Sequence, residues 1–221
     1  MIRDPRGGHN RKKLNEDFFK VWSQKMAYVL GFMYADGSLL NTNKSSRTYY
    51  LMFANNDLDL LTKIRMVLKS DHKIYIKPPH VIDYKNRRYL CKTGYVLRIG
   101  NKVMCEDLVA LGMPHKKSNI MVIPNIPKAY FSFFVRGYFD GDGCVSCSLG
   151  KGHNTHRLRV LFTSGSEIFL SQLSQIISKL ILDYMYSDLE SAPYIERKYQ
   201  KYLDYKNNLM GPRVKRALVI S

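Results

Sequence analysis

Apolar residues fill almost every face of a helical wheel drawn through residues 24–35, QKMAYVLGFMYA, and through 128–139, KAYFSFFVRGYF. Such runs predict helices buried on all sides, not helices with one wet face. Ser23 stands where it caps the first, and Pro127 stands where the second begins. After each helix the period changes. SLLNTN and TYYLMFA follow the first, separated by KSSR; CVSCSL and RLRVLFT follow the second, separated by GKGHNTH. Each set predicts strand, polar loop and strand. A further helix comes next in both places. One runs from about Asp57 to Leu68, with Leu58, Leu61, Ile64 and Leu68 on one face. The other opens on a capping-box pattern, Ser164 with Glu167, ahead of Phe169, Leu173, Ile176 and Leu180.

The repeated order carries a repeated phrase, VLGFMYADG at 29–37 and VRGYFDGDG at 135–143. Gly31 recurs as Gly137 and Asp36 as Asp142 at one spacing. The chain therefore divides into halves at 1–124 and 125–221. The first half goes on with KIYIK and GYVLRI as strands, the helix NKVMCEDLVALG, and MPHKKS. The second half does not. Its helix runs into YIERKYQKY, read as a final amphipathic helix, and NNLMGPRVKRALVIS, read as a tail. The part without a counterpart has about the size of the second strand pair. Either this half lacks that hairpin or a mobile stretch is missing from it.

Gly31 and Ala35 lie one helical turn apart, as do Gly137 and Gly141. Small residues at that spacing let two helix backbones approach closely, so the two buried helices are expected to pack on each other. Asp36 and Asp142 then end these helices, where the dipole is negative and the last carbonyls lack partners. Two carboxylates in that position cost stability without a cation. Carboxylates with free carbonyls form a hard oxygen site suited to Mg²⁺.

Thirty-five Lys and Arg against eighteen Asp and Glu leave a formal charge of +17. A surplus of that size points to a polyanionic partner, and nucleic acid is the first choice. No run is apolar for long enough to span a bilayer, and the first residues lack a secretion signal's apolar core. Neither a membrane partner nor secretion is expected. Four cysteines are too few for a disulfide scaffold and agree with a reducing, intracellular compartment. Cys144 and Cys147 form a CxxC with His153 and His156 beyond it. They fall on a predicted strand, where positions three apart face opposite ways, so zinc is not favoured.

At the two nonapeptides the chain resembles the LAGLIDADG homing endonucleases in their single-chain, two-motif form. The likeness runs from about Asn15 to the YIERKYQKYL segment. It implies an α+β fold of two pseudo-symmetric αββαββα halves, packed through the motif helices, with antiparallel sheets forming a saddle over duplex DNA. It implies a site-specific double-strand DNA endonuclease. Hydrolysis would need Mg²⁺, with Ca²⁺ or Mn²⁺ as substitutes and no organic cofactor. The cut would cross the minor groove and leave 3′ overhangs. Asp36 and Asp142 match the metal-binding positions, with the carbonyls of Ala35 and Gly141 beside them. A basic residue belongs near this centre, and PHKKS supplies Lys117 first and Lys116 second; contact with backbone phosphate is the competing role for both. A polar residue belongs at the end of the second strand, where Asp57 and Ser166 fall nearby. The resemblance also implies an intron-encoded monomer with a long asymmetric target. Bacterial or phage cytoplasm, or an organelle matrix, would be its setting. An intron RNA maturase, or a silent DNA-binding protein, on the same fold are the alternatives.

Strand alternation sorts the residues that would meet DNA. Thr48 and Tyr50 face outward if Tyr49, Leu51 and Phe53 face the core. Arg157 and Arg159 do so in RLRVLF, and Arg98 in YVLRI. Lys73, Tyr75 and Lys77 face outward if Ile74 and Ile76 face in, and Lys44 extends the first strand. The stretch KPPHVIDYKNRRYLCKTG reads as an extended loop in which Arg87, Arg88 and Lys92 meet phosphates. Arginine reads guanine edges, and lysine more often contacts phosphate.

Overall fold

The structure is a computed structural model that describes residues 12–41, 49–84, 87–114, 117–149, 156–185 and 217–220. It is an α+β chain with antiparallel sheets, divided into two compact units. One takes in the described residues up to Lys117 together with Asn125–Gly141; the other takes in Ser118–Pro124 and the described residues from Asp142 on.

In the first unit, helix α1 spans Gln24–Asp36, and the Ser23 hydroxyl accepts from the Met26 N–H at its start. Strands β1 (Gly37–Asn41) and β2 (Tyr49–Asn55) pair antiparallel. Helix α2 (Leu58–Val67) is capped by Asp57, whose carboxylate accepts from the N–H groups of Asp59 and Leu60. Strands β3 (Ile74–Lys77), β4 (His80–Tyr84), β5 (Arg87–Cys91) and β6 (Gly94–Gly100) follow, then helix α3 (Lys102–Ala110). The main sheet runs β1-β2-β6-β3, while β4 and β5 pair only with each other. Helices α1, α2 and α3 all rest against β2. Alternation along β2 sends Leu51 and Phe53 into the core, where Phe53 stacks on Phe32 of α1. Each such side chain contributes about 1.5–3 kcal/mol of burial.

The stretch 77–94 that reads as a loop is thus largely a two-stranded hairpin. Its apolar residues Val81, Ile82, Tyr89 and Leu90 are exposed, so they give no core-facing pattern. Ile76 is also a correction: it is 67% exposed. Strand β3 is the sheet edge and has no covering element for that face.

Pro127 opens a single 3₁₀ turn, Lys128–Tyr130, that runs into helix α4, Phe131–Asp142. Within the first unit the part of α4 up to Gly141 lies directly on α1. A Cβ on Gly31 would overlap the Phe134 carbonyl, and one on Gly137 would overlap that of Tyr28. A Cβ on Gly141 would overlap Ala35. Glycine is required at these places because two backbones touch there. Tyr34 of α1 meets Phe134 of α4 edge-on, and the Tyr28 hydroxyl donates to Asp140 at 2.6 Å.

The second unit holds strands β7 (Gly143–Leu149) and β8 (His156–Thr163), helix α5 (Glu167–Met185) and strand β9 (Ala217–Ile220), with sheet order β7-β8-β9. Phe169, Leu170 and Leu173 bury one face of α5. The Ser166 hydroxyl accepts from the Phe169 N–H and donates to the Met121 carbonyl at 2.6 Å. Gln172 accepts from the Ile123 N–H, so segment 118–124 is tied to this helix. The capping hydroxyl is therefore Ser166, not Ser164, which accepts from the Ser166 N–H.

Strand β9 lies in the stretch that reads as a tail. Phe53 pairs with Gly37 on one side and Leu97 on the other; Phe162 pairs with Gly143 and Leu218. In register, β9 is to β8 what β6 is to β2. The inner strand of the second pair is therefore present, and residues 186–216, outside the described residues, occupy the interval before it. The expected helix YIERKYQKY falls in that interval. Counterparts of α3 and Lys117 would follow β9 and are not among the described residues. No described helix is long and apolar enough to cross a membrane.

Candidate metal and nucleic-acid site

Asp36 is the last residue of α1, and Gly37 starts β1 at once. The helix thus delivers a carboxylate at its negative end, beside carbonyls that lack helical partners. Its side chain is half-buried, and burial holds its carboxyl above the ordinary range. Two neighbours offset part of that shift. Asn55 Nδ2 donates to Asp36 Oδ2 at 2.5 Å, and the positive charge of Lys117 lies close by.

Lys117 opens a short 3₁₀ turn, Lys117–Asn119. Its ammonium donates to the carbonyls of Met33 at 2.9 Å, Tyr34 at 2.8 Å, and Ala35. These are the last carbonyls of α1, and an ammonium fits them as a point charge with three donors. The donor set fits a hard divalent cation on this observation. A half-buried carboxylate and carbonyls that already gather a positive group have the oxygen chemistry that Mg²⁺ takes.

Asn55 is a residue that sequence reasoning missed. It ends β2, and its Oδ1 accepts from the Asp57 N–H while its Nδ2 holds Asp36. The same local bond recurs where Ser164 accepts from the Ser166 N–H. Sheet register also aligns Asn55 with Ser164. The strand-end positions are thus Asn55 and Ser164, two residues before Asp57 and Ser166, which cap helices instead. The signal in the sequence is ANND against TSGS: a polar residue two positions ahead of the cap.

Asp36 opens onto a cleft of about 420 Å³ lined also by Asn55, Lys77, His80, Lys92 and Gly141. Lys77 and Lys92 are exposed at it, so it presents positive charge beside the carboxylate. Along the sheet, Arg98 is exposed and lays its guanidinium 3.8 Å from the centre of the Tyr50 ring. Stacking of this kind restrains the arginine while leaving its donors outward. Lys73 and Tyr75 are exposed at the edge strand, and Arg88 is exposed on the hairpin 3.4 Å from Asp83. In the second unit Asp142 ends α4, its carbonyl accepts from the Thr163 hydroxyl at 2.8 Å, and Arg159 is exposed on β8. Arg87 and Arg157 lie on β5 and β8, and their side chains are outside the described residues. Lys44, Thr48 and Lys116 also lie outside the described residues.

Comparison with known proteins adds the following. Residues 132–202 match the LAGLIDADG-like domain. A 99-residue stretch, 44% of this chain, is 30% identical to 6% of the reverse gyrase of Methanocaldococcus jannaschii. Over 207 residues, 91% of this chain is 27% identical to 15% of the probable translation initiation factor IF-2 of the same organism. The chain therefore spans a small part of the curated relatives it matches. Among solved structures, the meganuclease I-SmaMI bound to uncleaveable DNA gives a TM-score of 0.44 at 14% identity, over 72% of this chain and 73% of that one. The homing endonuclease I-WcaI bound to its DNA recognition sequence gives 0.44 at 17% identity, over 76% and 75%. The chain carries a LAGLIDADG-like domain over residues 132–202, the family whose signature both of its nonapeptides resemble.

Proposed function

We propose that this chain is a site-specific double-strand DNA endonuclease that acts as a monomer, one motif serving each strand. The observation that carries the reading is the Asp36 carboxylate, held by Asn55 beside the Lys117 ammonium, in a cleft lined by Lys77 and Lys92.

Asp36 with the Ala35 carbonyl would hold a divalent cation, Mg²⁺ first, and Asp142 with the Gly141 carbonyl would do so for the second motif. When bound, such an ion supplies Lewis acidity at a phosphate and an acidified water. The protein's own residues do the rest. Asn55 fixes the orientation of the Asp36 carboxylate. Lys77 and Lys92 draw phosphates into the cleft, and Lys117 adds positive charge beside the reacting strand. Arg98, restrained on Tyr50, meets base edges in the major groove, as do Tyr75 and Arg159 on their strands. The cut crosses the minor groove and leaves 3′ overhangs.

The test is incubation of the protein with a randomised duplex library in Mg²⁺, in parallel with Asp36→Asn and Asp142→Asn. Recurrent double-strand cuts with one fixed overhang, lost in both variants, are expected. Binding without cuts in Mg²⁺ would transfer the reading to a DNA-binding protein. Selective binding of structured intron RNA in place of duplex DNA would transfer it to a maturase.

A further inference from the structure

We propose that Lys117 is a resident cation standing in the metal's place, so that its capping of α1 and the binding of a divalent ion there exclude one another. The proposal rests on the reading that Asp36 and Ala35 hold the metal. It goes beyond that reading because it gives Lys117 two positions and makes metal binding the event that moves it.

Three observations support it. Lys117 comes from a turn far along the chain from α1, yet its ammonium reaches the carbonyls of Met33, Tyr34 and Ala35 together. One of those, Ala35, is the carbonyl adjacent to the Asp36 carboxylate. The charge of Lys117 also steadies the ionised Asp36, the service a metal would perform. A divalent ion on the Ala35 oxygen would then stand against an ammonium bound to the same atom. Like charges that close repel strongly in a half-buried place. The ion and the ammonium therefore compete for one set of oxygens. With the ion absent, Lys117 closes the helix end. With the ion bound, the ammonium leaves the carbonyls for the cleft, where Asp36, Lys77 and Lys92 face incoming phosphate.

Competition is reciprocal, so removing the ammonium must tighten the ion. Calcium titration by calorimetry would compare the wild type with Lys117→Met and Lys117→Gln, the second keeping an amide donor for the helix end. Lys77→Met removes a charge from the same cleft without freeing a carbonyl, and measures the general electrostatic effect. Both Lys117 variants should bind Ca²⁺ at least about tenfold tighter than wild type, with Lys77→Met changed by less than about threefold. The wild type carries a second readout: reductive methylation of Lys117, followed by peptide mass spectrometry, should speed up several-fold when Ca²⁺ is added. Unchanged or weaker Ca²⁺ binding in the Lys117 variants would overturn the proposal and leave the metal reading intact. So would an equal gain in Lys77→Met. If neither Lys117 variant folds, the methylation rate decides, and a rate unmoved by Ca²⁺ overturns the proposal. No Ca²⁺ binding by any of these proteins would overturn both this proposal and the metal reading.

Discussion

Burial and function pull against each other at Asp36. Its carboxyl keeps a proton to higher pH in the folded chain than in the unfolded one, because burial outweighs Asn55 and Lys117. Folding therefore takes up protons between the ordinary and the raised value. Stability falls as pH rises through that interval and stays lower above it. Asp36→Asn should raise the thermal midpoint of the metal-free protein at pH 7, and the gain should vanish below about pH 3. Melting curves at both pH values check this. The same variant should cut at least about 1,000-fold more slowly, since a metal contributes several kcal/mol. Asn55→Ala removes a hydrogen bond to a charged group, worth about 1.5–3 kcal/mol. Cleavage should slow by about 10- to 100-fold while the midpoint moves little, as single-turnover rates and melts would show. Asn55 was hard to read in advance because an asparagine after a strand is ordinary turn chemistry; its reach to Asp36 exists only once β2 lies beside the end of α1.

Helices and strands differ in how openly the chain announced them. Ser23, Asp57 and Asn101 cap α1, α2 and α3 with their own side chains, and these starts are local in sequence. The close approach of α1 and α4 was also legible, because Gly31 and Gly137 sit at matching places in a repeated phrase. Gly137→Ala puts a methyl into a backbone carbonyl and should cost about 1–3 kcal/mol or more, read from denaturant midpoints. Ser166→Ala should cost about 1–2 kcal/mol, because it removes a helix cap and the bond to Met121. Strands were less open. Strand β9 is four apolar residues, ALVI, too short to show a period, and its partner Phe162 lies far upstream. The β4–β5 hairpin buries little, so its apolar residues carry no core pattern.

The net charge of +17 acts on the whole molecule. Duplex binding should weaken steeply with salt, with log K falling against log salt by about 0.9 for each phosphate neutralised. Lys77→Ala should lower that slope by about one and weaken all duplexes alike. Arg98→Ala should instead relax preference at one base position, at about 1–3 kcal/mol, because its guanidinium is restrained on Tyr50. Fluorescence anisotropy across a salt series, with selected and scrambled duplexes, separates the two effects.

By itself the sequence determined the repeat, the buried helices, their caps, the aspartate at each helix end and the attraction to a polyanion. All of these rest on spacing within a few residues or on a sum over the chain. Tertiary structure decided what depends on residues far apart. It placed Asn55 and Lys117 at the end of α1, made β9 the counterpart of β6, and left Ile76 on an uncovered edge. The physical reason is common to all three. A hydrogen bond, a strand pairing or an open face belongs to two surfaces, and only folding says which two surfaces meet.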